Sequence, residues 1–310
     1  MRDQSTLDPA SHAADKIADL WWILFAVSAV VFAVVVTLLL VGVLRARGDN
    51  PSNTVSQGLR ADRRPSRGGT RLIAIAGVVV PAVVVIALFF ASVATLPAVS
   101  PSGKDVRMTI EVVGRQWFWD VYYDGGAVRT ANEIHVPAGV PVELRVRSED
   151  VIHSLWVPRL NRKIDLIPGR TSSIVIDARK PGFYRGQCAE FCGVQHANMA
   201  LLVVADPPAQ FTRWLDEQKR PSSLGVLFTT AGCDGCHALR GTEATSRFGP
   251  DLSHLGSRHT LAAGTLRNTP QNLAAWIRDP QAIKPGNKMP NLHLSDEDVD
   301  SLVDYLEGQP

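Results

Sequence analysis

Two long segments without charge constrain the fold of this chain more than any other feature of its sequence. Residues 20–44 and 72–100 contain no Asp, Glu, Lys or Arg, and each is longer than the roughly 20 apolar residues that a helix needs to cross a bilayer. A buried helix of a soluble protein usually keeps a polar face, and a secretory signal peptide has a shorter apolar stretch. The sequence therefore predicts a two-helix transmembrane hairpin over residues 20–100, after an N-terminal tail at residues 1–19.

The charges that flank these segments predict how the hairpin is oriented. The loop between them, residues 45–71, carries seven arginines against two aspartates, whereas the tail carries two basic and four acidic residues. Basic loops remain on the cytoplasmic side of a membrane, so we expect a cytoplasmic loop and both termini on the periplasmic or outer face of the cell membrane. Membrane lipid is then a partner, while a net charge of only +2 gives no reason to expect nucleic-acid binding.

Short alternating segments follow the second apolar run. Val142, Leu144 and Val146, for example, alternate with charged residues, and turn signals such as Pro181-Gly182 separate one short segment from the next. Regularly spaced short strands with Gly/Pro turns are typical of a sandwich or a barrel. We therefore expect an all-β domain over residues 101–208.

Helical signals appear in the last part of the chain, after a predicted linker at residues 209–221 in which residues 210–219 can form a short helix. Hydroxyl-bearing residues stand where helix N-caps are expected, one of them followed by proline at the first helical position. The candidate caps are Ser222 or Ser223 before a helix at residues 224–230, Thr269 with Pro270, and Ser295 with Asp298. These signals predict a small all-α domain over residues 222–310.

One loop of the β domain collects the side chains that bind copper. Its sequence is Cys188-Ala-Glu-Phe-Cys192-Gly-Val-Gln-His196-Ala-Asn-Met199. Thiolates and thioethers select Cu(I), and imidazole is a general copper ligand. A mononuclear electron-transfer site uses one cysteine, whereas two cysteines four residues apart allow two sulfurs to bridge two metals. The loop therefore predicts a binuclear copper centre, with Met199 as a weak axial ligand and the Glu190 backbone carbonyl as the weak ligand to the other copper.

Two coppers require a second imidazole, which the loop does not contain. His153 stands at a predicted strand end, 35 residues before Cys188, and we assign it as this ligand. A buried histidine that hydrogen-bonds to backbone is the ordinary alternative for an isolated histidine. His135 is the competing candidate, but it precedes a turn and has no ligand motif around it.

A second motif, Cys233-Asp-Gly-Cys236-His237, is the attachment signature of a c-type heme. Two thioether bonds hold the porphyrin and His237 is the proximal ligand. Met289 is the only methionine after residue 199, and a His–Met pair raises the heme potential, so we expect it as the distal ligand ahead of His254 and His259. Because both cysteine pairs lie inside ligand-rich motifs, we do not expect the disulfides that are common in exported domains.

Together these features resemble subunit II of the heme–copper cytochrome c oxidases, in the form that carries a fused cytochrome c (the caa type). The resemblance covers nearly everything after about residue 15 and rests on several motifs in family order. They are the hairpin, Gln116-Trp117-Phe118-Trp119, His153, Lys163-Ile-Asp-Leu-Ile-Pro-Gly-Arg170, the copper loop, the segment Gly249–Arg258, and Lys288-Met289-Pro290.

The resemblance implies a cupredoxin-like β domain and a cytochrome c domain at the C-terminus. It implies a copper pair (CuA) bound by His153, Cys188, the Glu190 carbonyl, Cys192, His196 and Met199, and a heme c held by Cys233, Cys236, His237 and Met289. The Glu190 carboxylate matches a ligand to magnesium or manganese at the subunit I boundary. Trp117 matches the aromatic residue through which electrons enter.

By the same resemblance, the chain is an electron-relay subunit of a proton-translocating oxidoreductase. Electrons pass from heme c to copper and then to subunit I, where oxygen is reduced to water and protons are pumped. The implied partners are subunits I and III and an electron donor, either a cytochrome c or a quinol–cytochrome c reductase.

Two alternatives remain at this stage. A copper-containing subunit of a nitric oxide reductase-type complex would look alike, because the electron acceptor lies in another chain. A non-enzymatic membrane copper-binding protein is disfavoured by the heme motif, since copper delivery requires no heme.

Overall fold

The computed structural model describes residues 4–48, 67–99 and 106–309. The chain separates into two compact units. One is the hairpin, Lys16–Leu96, and the other combines the N-terminal residues up to Asp15 with the chain from Pro97 onward.

The hairpin unit consists of helices that are apolar over most of their length. They are α1 (His12–Gly48), α2 (Arg67–Ala74), a π-helical turn (Ile75–Val79) and α3 (Val80–Val99). Two stretches, His12–Arg45 and Gly68–Val99, are long and apolar enough to cross a membrane. Large side chains such as Phe32 and Ile73 are 71% and 70% exposed in the isolated chain, which suits helices surrounded by lipid. Most of the predicted cytoplasmic loop, residues 49–66, lies outside the described residues.

The β domain is a sandwich of two five-stranded sheets, as the alternating pattern predicts. Its strands are β1 (Met108–Arg115), β2 (Phe118–Tyr123), β3 (Val128–Ala131), β4 (Glu133–Pro137), β5 (Val142–Ser148), β6 (His153–Trp156), β7 (Ile164–Leu166), β8 (Ser172–Ile176), β9 (Gly182–Cys188) and β10 (Ala200–Asp206). The strand order is β3-β2-β1-β5-β8 in the first sheet and β4-β10-β9-β6-β7 in the second.

The alternation within the strands fixes which face meets the core. Val142, Leu144 and Val146 of β5 are buried, while Arg145 between them is exposed. Strand β1 pairs in parallel with β5 and places Ile110 opposite Leu144. Because successive side chains point to opposite faces of a sheet, this register directs the apolar set of both strands into one core.

A helix follows the sandwich and packs on it. Helix α4 (Pro208–Glu217) begins with proline at its first turn, where the missing N–H costs nothing. Its Phe211 is buried in the core cluster of the sandwich, and the Trp214 ring stacks on His135 at a centroid distance of 3.9 Å. The predicted linker at residues 209–221 therefore contains a helix that contributes to the β domain.

The C-terminal domain is built mainly from short helices around its own apolar cluster. Its elements are α5 (Val226–Thr230), α6 (Pro270–Arg278), α7 (Pro280–Ile283), α8 (Asp296–Glu307) and the two-residue strands β11 (Thr260–Leu261) and β12 (Leu266–Arg267). The cluster includes Phe228, Leu273, Val299 and Leu302.

Two of the predicted caps are confirmed and one is wrong. Thr269 accepts a hydrogen bond from the backbone N–H of Asn272, and Ser295 accepts one from Asp298. Helix α5, however, begins at Val226 without any side-chain cap. Gly225 occupies the N-cap position. Ser222 lies before it, where its backbone N–H donates to the carbonyl of Arg240.

Candidate metal centre and adjoining cavity

Strand pairing brings His153 beside the cysteine loop. His153 is the first residue of β6 and Cys188 is the last residue of β9, and these strands are neighbours in the second sheet. The loop then returns into β10, closed by a hydrogen bond of 2.8 Å from the Cys188 N–H to the Met199 carbonyl. Cys188 Sγ and His153 Nδ1 are consequently 4.0 Å apart, although 35 residues separate them in the sequence.

The predicted copper ligands form one compact cluster. Cys188 Sγ lies 3.7 Å from Cys192 Sγ, far longer than the roughly 2.05 Å of a disulfide, and both cysteines are free. Around these two sulfurs lie His153 Nδ1, His196 Nδ1 at 3.6 Å from Cys192, Met199 Sδ at 3.9 Å from Cys192, and the Glu190 carbonyl at 3.2 Å from Cys188. Two thiols, two imidazoles, a thioether and a carbonyl thus converge, which is the soft and borderline donor set that suits copper.

The orientation of His153 is fixed by residues that the sequence did not reveal. Its Nε2 lies 2.8 Å from Asp150 Oδ1, which leaves Nδ1 directed toward Cys188. On the other side the ring lies against Gly114, where a Cβ atom would be only 2.8 Å from His153 Cδ2. A carboxylate that holds the second nitrogen of a ligating histidine is a common feature of metal sites. The sequence signal for this contact was the position of Asp150, three residues before the candidate ligand His153.

The two thiols differ in acidity because they contact each other. The hydrogen bond with Cys192 lowers the pKa of Cys188, although burial acts in the opposite direction. The same contact, together with burial, raises the pKa of Cys192. Both thiols must lose their protons when they bind a metal ion.

The Glu190 side chain points away from this cluster. Its carboxylate forms an ion pair with Lys163 at 3.2 Å on the surface, and both side chains are about half exposed. The backbone and the side chain of this residue thus face different surroundings.

The residues of the second motif line a separate cavity. It has a volume of about 320 Å³, and its walls include Cys233, Cys236, His237 and Met289 together with apolar side chains such as Leu273. His237 Nδ1 lies 2.8 Å from the carbonyl of Pro250, and since a carbonyl only accepts, Nδ1 carries the proton and Nε2 is a free ligand atom. Burial lowers the pKa of His237, which favours this neutral form.

The histidines weighed as alternatives to Met289 are engaged elsewhere. His254 Nε2 lies 3.2 Å from the carbonyl of Arg220, and His259 Nδ1 lies 3.0 Å from Glu133. Neither lines the cavity, whereas Met289 does. The Met289 loop is held by hydrogen bonds from its N–H to Asn287 and to its carbonyl from the Gln281 side chain. An apolar cavity with two thiols, one imidazole and one thioether on its walls fits a covalently attached heme.

One tryptophan connects this cavity to the cysteine cluster. Trp117 lines the cavity wall, and its indole N–H donates a hydrogen bond of 3.0 Å to the carbonyl of Cys192. The Gln116 side chain donates to the same carbonyl at 2.9 Å. A Cβ atom on Gly193 would lie 2.9 Å from the indole ring, so the loop backbone packs directly on it. A single aromatic side chain therefore separates the cavity from a candidate copper ligand.

Further contacts hold the helical domain against the sandwich. The Lys284 ammonium is buried and donates to the carbonyl of Asn198 at 2.9 Å and to that of Ala262 at 3.1 Å. Burial lowers the pKa of Lys284 to about 8. The Arg129 guanidinium donates to the carbonyls of Ser246 and Gly249. Sequence reasoning missed both basic residues, because no local motif marks a residue whose partners are distant carbonyls.

Comparison with known proteins gives two family matches. The family described as cytochrome c oxidase subunit II, periplasmic domain, matches residues 124–206, and the family described as cytochrome c matches residues 225–309. The two matches fall on the sandwich and on the helical domain.

Two curated relatives of the chain are named cytochrome c oxidase subunit 2. The chain is 35% identical over 218 residues to cytochrome c oxidase subunit 2 of Alkalihalophilus pseudofirmus. The match covers 67% of this chain and 63% of the relative, so the chain spans somewhat less than two thirds of the relative's length. It is 29% identical over 333 residues to cytochrome c oxidase subunit 2 of Bacillus subtilis, covering 98% of this chain and 91% of that one. Among solved structures, the periplasmic domain of subunit II of cytochrome oxidase from Bradyrhizobium japonicum is 32% identical, with a TM-score of 0.36, and the match covers 37% of this chain and 94% of that one.

Proposed function

Because the chain belongs to the cytochrome c oxidase subunit II family, in the form with a C-terminal cytochrome c domain, we propose that it relays electrons from heme c to a binuclear copper centre and on to subunit I. Subunit I then reduces oxygen to water and pumps protons. The observation that carries this proposal is the position of Trp117, which lines the cavity that contains the heme-attachment motif and hydrogen-bonds to the carbonyl of Cys192.

The proposed ligands follow from the two donor sets. The copper ligands are His153, Cys188, the Glu190 carbonyl, Cys192, His196 and Met199. Cys233 and Cys236 attach the heme, with His237 Nε2 as proximal and Met289 as distal ligand. When bound, heme c supplies a one-electron donor and the copper pair a one-electron acceptor.

The protein contributes rigidity and exclusion of water. Cys188, Cys192 and Met199 are buried, and the loop that carries them is closed by backbone hydrogen bonds such as that from the His196 N–H to the Gly193 carbonyl. Asp150 and Gly114 hold the His153 ring from both sides. Ligands that cannot move keep the same positions in both redox states, so little energy is spent on rearrangement when an electron arrives.

Several features of this assignment extend beyond the two centres. The domain limits 101–208 and 222–310, with the membrane hairpin at 20–100, are part of the proposal, as is a cell-membrane location with both termini on the periplasmic or outer face. Subunits I and III and a cytochrome c or quinol–cytochrome c reductase are the proposed partners. The Glu190 carboxylate is proposed to contribute to a magnesium or manganese site at the boundary with subunit I, where it would exchange its Lys163 partner for the ion.

Replacement of one bridging sulfur tests the proposal in the assembled oxidase. Cys192→Ser should abolish the near-infrared copper band and oxygen consumption, while the heme c spectrum and heme content remain those of the unmodified protein. Retained turnover without the copper band would contradict the relay. Parallel measurement of nitric oxide consumption separates the oxidase from a nitric oxide reductase-type complex, the other acceptor class that the sequence allows.

A further inference from the structure

A second group of metal-binding side chains lies where the helical domain meets the sandwich. Glu133 and His135 come from β4 and His259 from the segment just before β11, and their ligand atoms all lie within 4.8 Å of one another. Sequence reasoning treated His135 as a competing copper ligand and His259 as a competing heme ligand. The structure places both histidines in this separate cluster.

The ring of His135 is held in one orientation. Its Nδ1 lies 2.8 Å from Asp206 Oδ2, and because a carboxylate accepts, Nδ1 carries the proton in the neutral ring. The Trp214 indole stacks on the imidazole at a centroid distance of 3.9 Å and an interplanar angle of 9°. These contacts leave Nε2 with a lone pair that faces Glu133.

Two acceptor atoms therefore face each other. His135 Nε2 and Glu133 Oε2 are 3.9 Å apart, which is too far for a hydrogen bond and leaves two lone pairs opposed in a buried place. A metal ion between them would bind both atoms, and would replace the hydrogen bond that Glu133 Oε2 otherwise forms with His259 Nδ1 at 3.0 Å. Zn²⁺ binds imidazole nitrogen and carboxylate oxygen at roughly 2.0–2.2 Å, so two such bonds span a gap of this size.

His259 supplies the third ligand atom. Its Nδ1 lies 3.0 Å from Glu133 Oε2, and its side chain is 42% exposed, which gives an ion and a water ligand access from solvent. The other oxygen, Glu133 Oε1, accepts hydrogen bonds of 2.8 Å from the backbone N–H groups of His259 and Thr260. The carboxylate is thus fixed with only Oε2 directed at the two imidazoles.

We propose that Glu133, His135 and His259 bind a Zn²⁺ ion, with water as the fourth ligand, and that the ion joins the helical domain to the sandwich. Two nitrogens, one carboxylate oxygen and an open fourth position are typical of zinc. Asp206 acts as a positioning residue, since a carboxylate that accepts from the second nitrogen of a ligating histidine fixes its tautomer. The carboxylates of Glu133 and Asp206 also balance the charge of a divalent ion. This site does not depend on the proposed electron relay.

Zinc binding to the full-length, copper- and heme-loaded chain in detergent tests the proposal. Equilibrium dialysis against micromolar Zn²⁺ near neutral pH, followed by elemental analysis, should find one zinc ion per chain in addition to copper and iron. X-ray absorption at the zinc edge should show nitrogen and oxygen neighbours without sulfur. Sulfur neighbours would mean that zinc had entered the cysteine cluster, and would overturn the assignment.

Matched variants locate the ion. His259→Gln should lose the additional zinc, whereas His293→Gln, which changes an exposed histidine of the same domain, should retain it. Asp206→Asn should weaken zinc binding about 10–100-fold, the range known for such supporting carboxylates. Copper and heme contents equal to those of the unmodified chain establish that each variant is folded.

Two further results would overturn the proposal. One is equal zinc content in the unmodified chain and in His259→Gln. The other is a chain that contains copper and heme but binds no zinc, which would mean that a proton alone holds Glu133 and the histidines together.

Discussion

Replacing Gly114 by alanine should damage the copper centre from a position that binds no metal. A Cβ atom at this position would lie 2.8 Å from His153 Cδ2 and 3.1 Å from Leu166 Cδ2, whereas ordinary contacts begin at 3.4 Å. The His153 ring must therefore move by about 0.6 Å or β1 must bend. Metal–ligand distances vary by only roughly 0.2 Å around their standard values, so a displaced ring no longer holds its copper in the original geometry.

The cost to the fold itself is expected to be moderate. Adding one methyl group to a packed core typically lowers the free energy of unfolding by about 1–3 kcal/mol. Copper content and the near-infrared and paramagnetic resonance spectra of the holo-protein measure the effect on the site, and thermal unfolding followed by circular dichroism measures the effect on the fold. We expect partial loss of copper or a changed spectrum in a chain that remains folded.

Gly186 of β9 provides a matched control for this substitution. A Cβ atom there would lie 2.9 Å from Leu201, Val157 and the Trp156 carbonyl, so Gly186→Ala introduces a comparable clash without touching His153. It should lower the melting temperature at least as much while leaving the spectrum of the bound copper unchanged. An unaltered copper spectrum in Gly114→Ala, at full copper content, would refute the idea that this glycine sets the position of His153.

Three further predictions concern the cavity and the domain contact. Trp117→Phe removes the hydrogen bond to Cys192, which should cost about 1 kcal/mol of stability. It should also slow heme-to-copper electron transfer in stopped-flow measurements, while the absorption spectra of both centres stay unchanged. An unchanged rate of electron transfer would exclude the indole from the path. Met289→Leu should keep the covalent heme but lower the heme potential in a redox titration, because His–Met ligation raises that potential. An unchanged potential would mean that another residue is the distal ligand. Lys284 has a folded-state pKa of about 8, below its usual 10.5, so the unfolded chain binds more protons between these values and stability should rise with pH across that window. Thermal unfolding of Lys284→Met should lack this rise, and an identical pH profile would show that the ammonium is not buried.

Local motifs and periodicity account for what the sequence predicted well. The uncharged runs predict the hairpin by length alone, and the alternation of Val142, Leu144 and Val146 predicts a strand of a sandwich with one face in the core. The copper loop and the heme signature are short, so their ligand atoms are close together in almost any fold. Among the copper ligands only His153 is distant in sequence, and the pairing of β6 with β9 brings it in.

What the sequence did not predict depends on contacts between distant segments. Gly114 matters because β1 passes behind the His153 ring, and Lys284 matters because its loop reaches the Asn198 carbonyl. The cluster of Glu133 and His259 joins residues that lie 126 positions apart. None of these positions has a local pattern, since each partner is supplied by tertiary packing.

The helix allowed within the predicted linker is present as α4, but its packing on the sandwich through Phe211 was not predicted, because that contact depends on a distant segment. One error has the same origin. Ser222 is a good cap by composition, yet helix α5 begins only at Val226, with Gly225 at the N-cap position.

Electron transfer within a single chain is the most direct test of the account. In the full-length protein carrying both centres, rapid reduction of heme c by a photochemical donor should be followed by reoxidation of the heme and simultaneous bleaching of the near-infrared copper band. The rate should be first-order and independent of protein concentration, because the cavity and the cysteine cluster are joined through Trp117 within one molecule. A rate that rises with protein concentration, or a copper band that persists while the heme is reoxidised, would contradict the account.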